Sequence, residues 1–350
     1  MKTSQFDYEL PESAIAQQPL EHRDGSRLLE LGRDGVRHLP FRSFPSLVPE
    51  GALVILNDTR VIKARILGTR HGTGGRVELL LTRLLSTESE ASEIWCSLGR
   101  AGGKLRPGTR IDAGPISVEV LSRDDDGSLR VRVFAEGGVA RALDVHGHVP
   151  LPPYVRRPDS AADVERYQTV FARHSGSIAA PTAALHLTPD TLRALAARGV
   201  EVAFVTLHVG IGTFRPVSAE DLDEHPMHSE ELVVGPDVVR AVRRARERNG
   251  RVVAVGTTVV RALESAKDPT DPRMIRELSG DTALLIQPGY DFGPVDSLLT
   301  NFHMPKSTLM ALVAAFAGRE RVLSAYAEAL AERYRFLSYG DAMWIPERLT

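Results

Sequence analysis

The chain has 350 residues, 43 Lys and Arg against 45 Asp and Glu, a formal net charge of −2, and 43% hydrophobic with 25% charged residues. That balance describes a folded globular protein and excludes extended disorder, and the length accommodates two domains. A single cysteine, Cys96, excludes an internal disulfide and a multi-cysteine zinc or iron–sulfur centre, and reads as a small apolar filler of a strand at 94–98.

The first residues lack the apolar stretch of a secretory signal, so a cytoplasmic protein is expected. Residues 52–56 form a continuous apolar run, the mark of a strand buried on both faces, and end at Asn57-Asp58-Thr59-Arg60. Short β-prone runs follow at 61–66, 76–81, 94–98, 116–121 and 129–134, separated by Gly, Asp and Ser. The last two are joined by the hairpin signal Asp124-Asp125-Asp126-Gly127. This stretch reads as a small all-β barrel or sandwich. Between Arg60 and Arg110 it carries ten basic residues against four acidic ones, a local excess suited to phosphates. Residues 147–154, rich in proline, suit a stiff return segment.

Beyond it, helix and strand alternate. Thr188-Pro189-Asp190 opens a helix that Gly199 closes, and a strand over 200–207 follows. Gly235-Pro236-Asp237 starts a second helix, and the cluster Arg240, Arg243, Arg244, Arg246, Arg248 and Arg251 reads as its solvated face. A strand at 252–255, a helix at 259–266, a strand at 283–286 and a helical region at 308–335, pausing near Gly318, complete the pattern. The apolar run 309–317 is about half the roughly 20 residues a membrane span requires. The expected architecture is an α/β core of residues 1–60 and 150–350, a mostly parallel sheet either open or closed into a barrel, with an inserted β-barrel of residues 61–149. Its sites belong at the carboxyl ends of the strands.

Short motifs narrow the chemistry. Gly210-x-Gly212 follows a strand, but Arg215 occupies the third glycine position of a dinucleotide loop and Pro216 spoils the helix start. His225-Pro226-Met227-His228 with Glu230 and Glu231 contains metal-donor types, yet Pro226 breaks the helical spacing that aligns such ligands, so no metal is expected. Neither a Gly-x-Ser-x-Gly elbow nor a Walker loop is present. What remains at strand ends is Asp58, Arg60, His186, His208, His228, Glu230, Thr257, Thr258, Arg261, Asn301 and His303. This mixture of imidazole and carboxylate suits general acid–base work without metal.

Several longer strings carry more information: Tyr167-Gln168-Thr169-Val170-Phe171, the stretch from Gly176 through Pro181-Thr182-Ala183-Ala184-Leu185-His186, Leu207-His208-Val209-Gly210-Ile211-Gly212-Thr213-Phe214, and Met227-His228-Ser229-Glu230. To these are added Val255-Gly256-Thr257-Thr258, Gln287-Pro288-Gly289-Tyr290, Leu299-Thr300-Asn301-Phe302-His303 and Ser338-Tyr339-Gly340-Asp341. Together, in order from Phe6 to Met343, they resemble the S-adenosylmethionine:tRNA ribosyltransferase-isomerases of queuosine biosynthesis. Ala184 and Leu187 stand where that family's pattern has glycine and phenylalanine.

The resemblance implies a barrel-like α/β core with an inserted β-barrel. It implies transfer and isomerisation of the ribosyl group of S-adenosylmethionine onto the 7-aminomethyl-7-deazaguanine of tRNA, with release of adenine and methionine. S-adenosylmethionine is then a substrate, the partner is a tRNA anticodon stem-loop, no prosthetic group or membrane is involved, and a monomer is expected. Under this reading His208 and His186 are candidates for proton transfer, Glu230 for orienter or base with His228 beside it, and Asp58 for acceptor of the cationic amine. Gly210, Gly212, Thr213, Thr182, Thr257, Thr258, Arg261, Tyr290, Asn301 and His303 are candidates for binding S-adenosylmethionine. Arg60, Lys63, Arg65, Arg100, Lys104 and Arg106 are candidates for binding tRNA. The competing readings are a metal-free nucleoside hydrolase or phosphorylase, and a module that only grips tRNA.

Overall fold

Residues 53–57 are buried at every position, as their unbroken apolar character requires, and they lie at the centre of the molecule. The computed structural model describes residues 1–210, 212, 217 and 219–350. Its strands, in chain order, are β1 (Arg27–Gly32), β2 (Gly35–Pro40), β3 (Leu53–Asn57), β4 (Thr59–Val61), β5 (Arg65–Arg70), β6 (Arg76–Ser89), β7 (Ser92–Ala101), β8 (Arg110–Ala113) and β9 (Ile116–Arg123). There follow β10 (Leu129–Ala135), β11 (His174–Ser177), β12 (Glu201–Leu207), β13 (Glu230–Val234), β14 (Val252–Val255), β15 (Leu278–Thr282), β16 (Ser297–Asn301) and β17 (Ala342–Ile345). The helices are α1 (Phe44–Leu47), α2 (Val139–His146), α3 (Ala161–Arg166), α4 (Pro189–Ala197), α5 (Pro236–Glu247), α6 (Thr257–Ser265), α7 (Thr308–Ala317) and α8 (Arg319–Ala331).

Among the described residues the strands form three sheets. The largest has the order β15-β13-β12-β3-β14-β16-β17-β1-β2 and is open at both ends. Its four central strands, β12-β3-β14-β16, run parallel, whereas β13, β15, β17 and β2 enter antiparallel to a neighbour, so the sheet is mixed rather than mostly parallel. Helices cover it by their apolar stripes. On α5, Val238, Ala241, Val242 and Ala245 face inward, and α7 is buried from Met310 to Ala317. Of the arginines expected on a solvated face, Arg240, Arg244 and Arg248 are exposed, with Arg240 paired to Asp237 and Arg244 and Arg248 to Glu201, whereas Arg246 departs from the expectation: its side chain is 10% exposed and turns in to Asp296. Ala184 and Leu187 are wholly buried in the layer between this sheet and α4.

The second sheet is a closed six-stranded barrel, β10-β7-β6-β5-β8-β9, in which alternate residues such as Leu129, Val131, Val133 and Ala135 point inward. Its core draws on residues 64–143 and one contribution from outside, Ile178. Cys96 is half-buried on β7, and burial raises its thiol pKa. The third sheet is the parallel pair β4–β11, which divides the expected strand at 61–66: Thr59 to Val61 pair with β11, and the barrel begins at Arg65. The strand expected at 283–286 is irregular chain, flanked by β15 and β16.

Candidate active site

The carboxyl ends of β12, β3, β14 and β16 lie on one side of the large sheet because these strands are parallel neighbours. Asn57 closes β3 and locks this edge: its Nδ2 donates to Leu207 O at 2.9 Å, and its Oδ1 accepts from the N–H groups of Leu207 and Thr59, both at 3.1 Å. The chain emerging from β12 is thereby fixed where His208 begins. Ser177 Oγ, on β11, accepts from Val209 N at 2.9 Å.

His208 lines a cleft of about 580 Å³ between the barrel and the large sheet. Its walls include Arg60, Lys63, Trp95, Tyr167, Gly210 and Glu230. His208 Nδ1 is 2.7 Å from Thr59 Oγ1, and among the described residues Nε2 has no protein partner. Burial lowers the pKa of the imidazole; nearby Glu231 and Asp58 act in the opposite direction and His174 in the same one. Glu230 opens β13 and is 5% exposed. Its Oε1 accepts from Gly210 N at 2.9 Å, and its Oε2 accepts from Arg261 Nη1 in a buried ion pair.

Arg261 extends the site to a second chamber of about 90 Å³, walled by Thr182, Thr257, Thr258, Asn301 and His303 and sharing Tyr167 and Val209 with the cleft. Four residues on this wall carry a buried polar atom with no hydrogen-bond partner among the described residues: Tyr167 Oη, Thr258 Oγ1, Arg261 Nη2 and Asn301 Oδ1. A buried polar atom left unpaired costs about 1–3 kcal/mol, so four around one chamber point to a polar ligand. The helix α6 begins at the same place after Gly256, with its first-turn N–H groups toward the chamber end of β14.

The structure divides the other candidates. His228 and Gly212 meet in a pocket of about 30 Å³ that shares Glu230 and Arg261 with the two cavities. There a Cβ on Gly212 would lie 3.0 Å from His228 Cδ2, so a larger residue would require the imidazole to shift by a few tenths of an ångström. Thr213 lies outside the described residues. His186 is not brought to His208. It is 5% exposed behind the chamber, its Nδ1 2.8 Å from Ser26 Oγ and its Nε2 3.5 Å from Asn301 Nδ2, and burial lowers its pKa to about 4. His303, likewise lowered by burial to about 3, has Nε2 2.8 Å from Thr300 Oγ1.

Asp58 stands behind the cleft wall, accepting from Thr206 Oγ1 at 2.7 Å with Oδ2 3.6 Å from His174 Nε2. Tyr290 lies apart from the three cavities, 3.3 Å from Glu264 Oε2. Of the six basic candidates, Arg60 and Lys63 line the cleft, and Arg65 is paired to Glu78 at 2.8 Å. Arg100, Lys104 and Arg106 are exposed on the barrel. Among the described residues no group of three or more His, Cys, Asp or Glu is placed to hold a metal ion. Nor is any helix among them long and apolar enough to cross a membrane.

Reading from sequence passed over Thr59, Asn57, Gly176 and Ser177 as site residues. The available signal was the polar triplet Asn57-Asp58-Thr59 immediately after a fully buried strand, a position where side chains must serve either a fold-locking or a functional purpose.

Comparison with known proteins identifies the family. A family model described as "Queuosine biosynthesis protein" matches residues 3–345. An S-adenosylmethionine:tRNA ribosyltransferase-isomerase of Sorangium cellulosum is 51% identical, over 99% of this chain and 98% of that relative. One of Natranaerobius thermophilus is 45% identical over 99% of both chains. The crystal structure of an S-adenosylmethionine tRNA ribosyltransferase from Thermotoga maritima is similar with a TM-score of 0.54 at 36% identity, covering 98% of this chain and 100% of that one. With its family pattern matched from end to end, the chain belongs to the queuosine biosynthesis protein family, whose members named here are S-adenosylmethionine:tRNA ribosyltransferase-isomerases.

Proposed function

We propose that this enzyme transfers and isomerises the ribosyl group of S-adenosylmethionine onto the 7-aminomethyl-7-deazaguanine base of tRNA, yielding epoxyqueuosine-tRNA, adenine and methionine. The observation that carries the reading beyond family membership is the pair of cavities: a small chamber with four unpartnered polar atoms beside a larger cleft whose walls include Arg60 and Lys63. The chamber, at about 90 Å³, suits one end of S-adenosylmethionine and not the whole molecule, with Thr257, Thr258 and the α6 amino terminus toward its carboxylate and Arg261 and Asn301 toward neighbouring polar groups. The cleft suits a base splayed from the anticodon loop, with Arg60 and Lys63 at the phosphates.

The reaction requires removal of a proton beside the sulfonium, stabilisation of departing adenine and a neutral attacking amine. We assign these steps to His208 and Glu230, both in the cleft wall, with His228, which shares a small pocket with Glu230, supporting it. His186 serves as a buried support for Asn301, and Asp58 acts through the His208 environment.

We assign residues 1–60 and 150–350 to a catalytic domain and 61–149 to an inserted RNA-facing domain, supported by the near-complete separation of their apolar cores. The proposed protein works in the cytoplasm as a monomer, with S-adenosylmethionine consumed as substrate and no prosthetic group. Adenine release from S-adenosylmethionine, followed by chromatography, is expected only with tRNA carrying the aminomethyl base. His208→Ala and Glu230→Gln are expected to abolish release while tRNA binding persists. Adenine release without tRNA would favour a nucleoside hydrolase, and tRNA binding without release a binding module.

A further inference from the structure

Thr59 and Gly176 hold the His208 ring from two sides. Thr59 is wholly buried on β4, and among the described residues its hydroxyl has one hydrogen-bonding partner, His208 Nδ1, at 2.7 Å. Gly176 sits at the irregular step of β11 with φ +152°, and a Cβ there would lie 3.0 Å from Nδ1, Cε1 and Nε2 alike, so the ring lies face-on against its backbone.

A buried hydroxyl donates its proton where an acceptor is offered, since the unmade bond is more costly than the made one is favourable. The acceptor offered is the Nδ1 lone pair. If Nδ1 instead carried the proton, it would donate to Thr59 Oγ1, and the hydroxyl proton would have no acceptor among the described residues. A penalty of that size favours the first arrangement by roughly tenfold or more. The proton of the neutral ring then belongs on Nε2, the nitrogen left for the cleft.

We infer that Thr59 is a positioning residue that fixes His208 as its Nε2–H tautomer, so that His208 presents a hydrogen-bond donor to the substrate and is not the base that removes a proton. The inference rests on the assignment of His208 to the reaction. It calls for no proton to leave the ring: Nε2–H stabilises charge developing on a substrate nitrogen or oxygen, and the ring stays neutral throughout. Burial supports this by disfavouring the imidazolium, in which both nitrogens donate and the Thr59 hydroxyl must turn away.

Nitrogen-15 NMR of the histidine side chains reports the tautomer without reference to activity. Wild type and Thr59→Ser are expected to show His208 with Nε2 protonated, and Thr59→Val a mixture of both tautomers. A wild-type ring protonated at Nδ1 overturns the inference. In adenine release, Thr59→Val is expected to lose at least about twofold in rate, in proportion to the fraction of Nε2–H tautomer it retains, with the KM for S-adenosylmethionine little changed, and Thr59→Ser to restore the rate.

His208→Gln, whose amide can donate from near the Nε2 position, is expected to be at least about tenfold faster than His208→Ala. Equal inactivity of the Gln and Ala variants sinks the donor role. Full activity of His208→Ala instead removes His208 from the reaction while leaving the NMR result to stand or fall separately.

Discussion

The buried Arg261–Glu230 pair allows the stability of the site to be separated from its binding function. Arg261 is 7% exposed; Nη1 donates to Glu230 Oε2, Nε donates to Leu284 O at 3.1 Å, and Nη2 has no hydrogen-bond partner among the described residues. Arg261→Met removes the cation and leaves the Glu230 carboxylate buried with Gly210 N–H as its remaining hydrogen bond. Breaking a buried pair in this way costs about 3–5 kcal/mol, because the surviving charge is uncompensated.

Glu230→Gln combined with Arg261→Met removes both charges, so most of that loss is expected to return in the double variant. Affinity for S-adenosylmethionine behaves differently. If Nη2 meets the ligand, a charge-assisted hydrogen bond of about 1.5–3 kcal/mol is lost, roughly 10- to 100-fold in Kd, and removing Glu230 cannot restore it. Arg261→Lys is also expected to bind weakly, because an ammonium cannot serve Glu230, Leu284 O and the chamber with one planar fork. Denaturant unfolding of the four proteins of the cycle and calorimetric titration with S-adenosylmethionine read the two quantities. A double variant as unstable as Arg261→Met, or wild-type affinity in Arg261→Met, refutes the reasoning.

Three further outcomes are expected. The folded-state pKa of His186 falls from 6.5 to about 4 through burial, so its contribution to stability is complete above 6.5 and is lost as the pH falls through 4. Denaturant unfolding is expected to show a loss of roughly 3 kcal/mol over that window that His186→Gln lacks; identical pH dependence in both proteins contradicts it. Glu264 has the opposite sign: burial raises its carboxyl from 4.5 to about 7, so its contribution is present below 4.5 and is lost as the pH rises through 7. Relative to Glu264→Gln, wild type is expected to lose roughly 3 kcal/mol of stability across that interval, measured by unfolding at its two ends. Charge reversal at exposed Arg100 and Arg106 is expected to flatten the dependence of log K for tRNA on log salt by roughly 0.7–0.9 for each phosphate no longer neutralised; an unchanged slope returns these arginines to a solvated surface.

What the sequence revealed depended on whether the signal was local. Strand β14 coincides with the run 252–255, and α4 begins where Thr188, Pro189 and Asp190 place a cap, because cap chemistry and full burial are written in adjacent residues. Strand β15 escaped notice because Leu278–Thr282 is a polar edge segment whose pairing with β13, not its own composition, makes it a strand. The apolar 283–286 stretch misled for the complementary reason: Leu284, Leu285 and Ile286 face the pocket beside Arg261 without joining a ladder. Within the site, the polar inventory at strand ends was legible, but its grouping was not. Thr59 and His208 are 149 positions apart, and what joins them is the packing of β4 against the end of β12. His186 had the same sequence signature as His208, a histidine just past an apolar stretch. Only tertiary burial distinguishes a support for Asn301 from a group at the cleft.

The same pair of strands that holds His208 also carries the connection to the barrel. The chain leaves β3 through Asn57, runs along β4, and enters the barrel at Arg65; it returns through 147–173 to β11, which pairs with β4. Thr59 and Arg60 therefore precede the barrel, and Ser175, Gly176 and Ser177 follow it, within one two-stranded sheet. Arg60 faces the cleft where RNA phosphates are proposed to lie, and its neighbour Thr59 holds the His208 ring. Because successive side chains on a strand point to opposite faces, the two adjacent residues can serve the RNA side and the imidazole side of one strand. Any displacement of the barrel relative to the large sheet has to pass through β4 and β11, and it would move Thr59 and Gly176 against a ring that a Cβ would already crowd at 3.0 Å. If RNA seats on the barrel as proposed, β4 and β11 are the short covalent route by which a displacement of the barrel would reach Thr59 and Gly176.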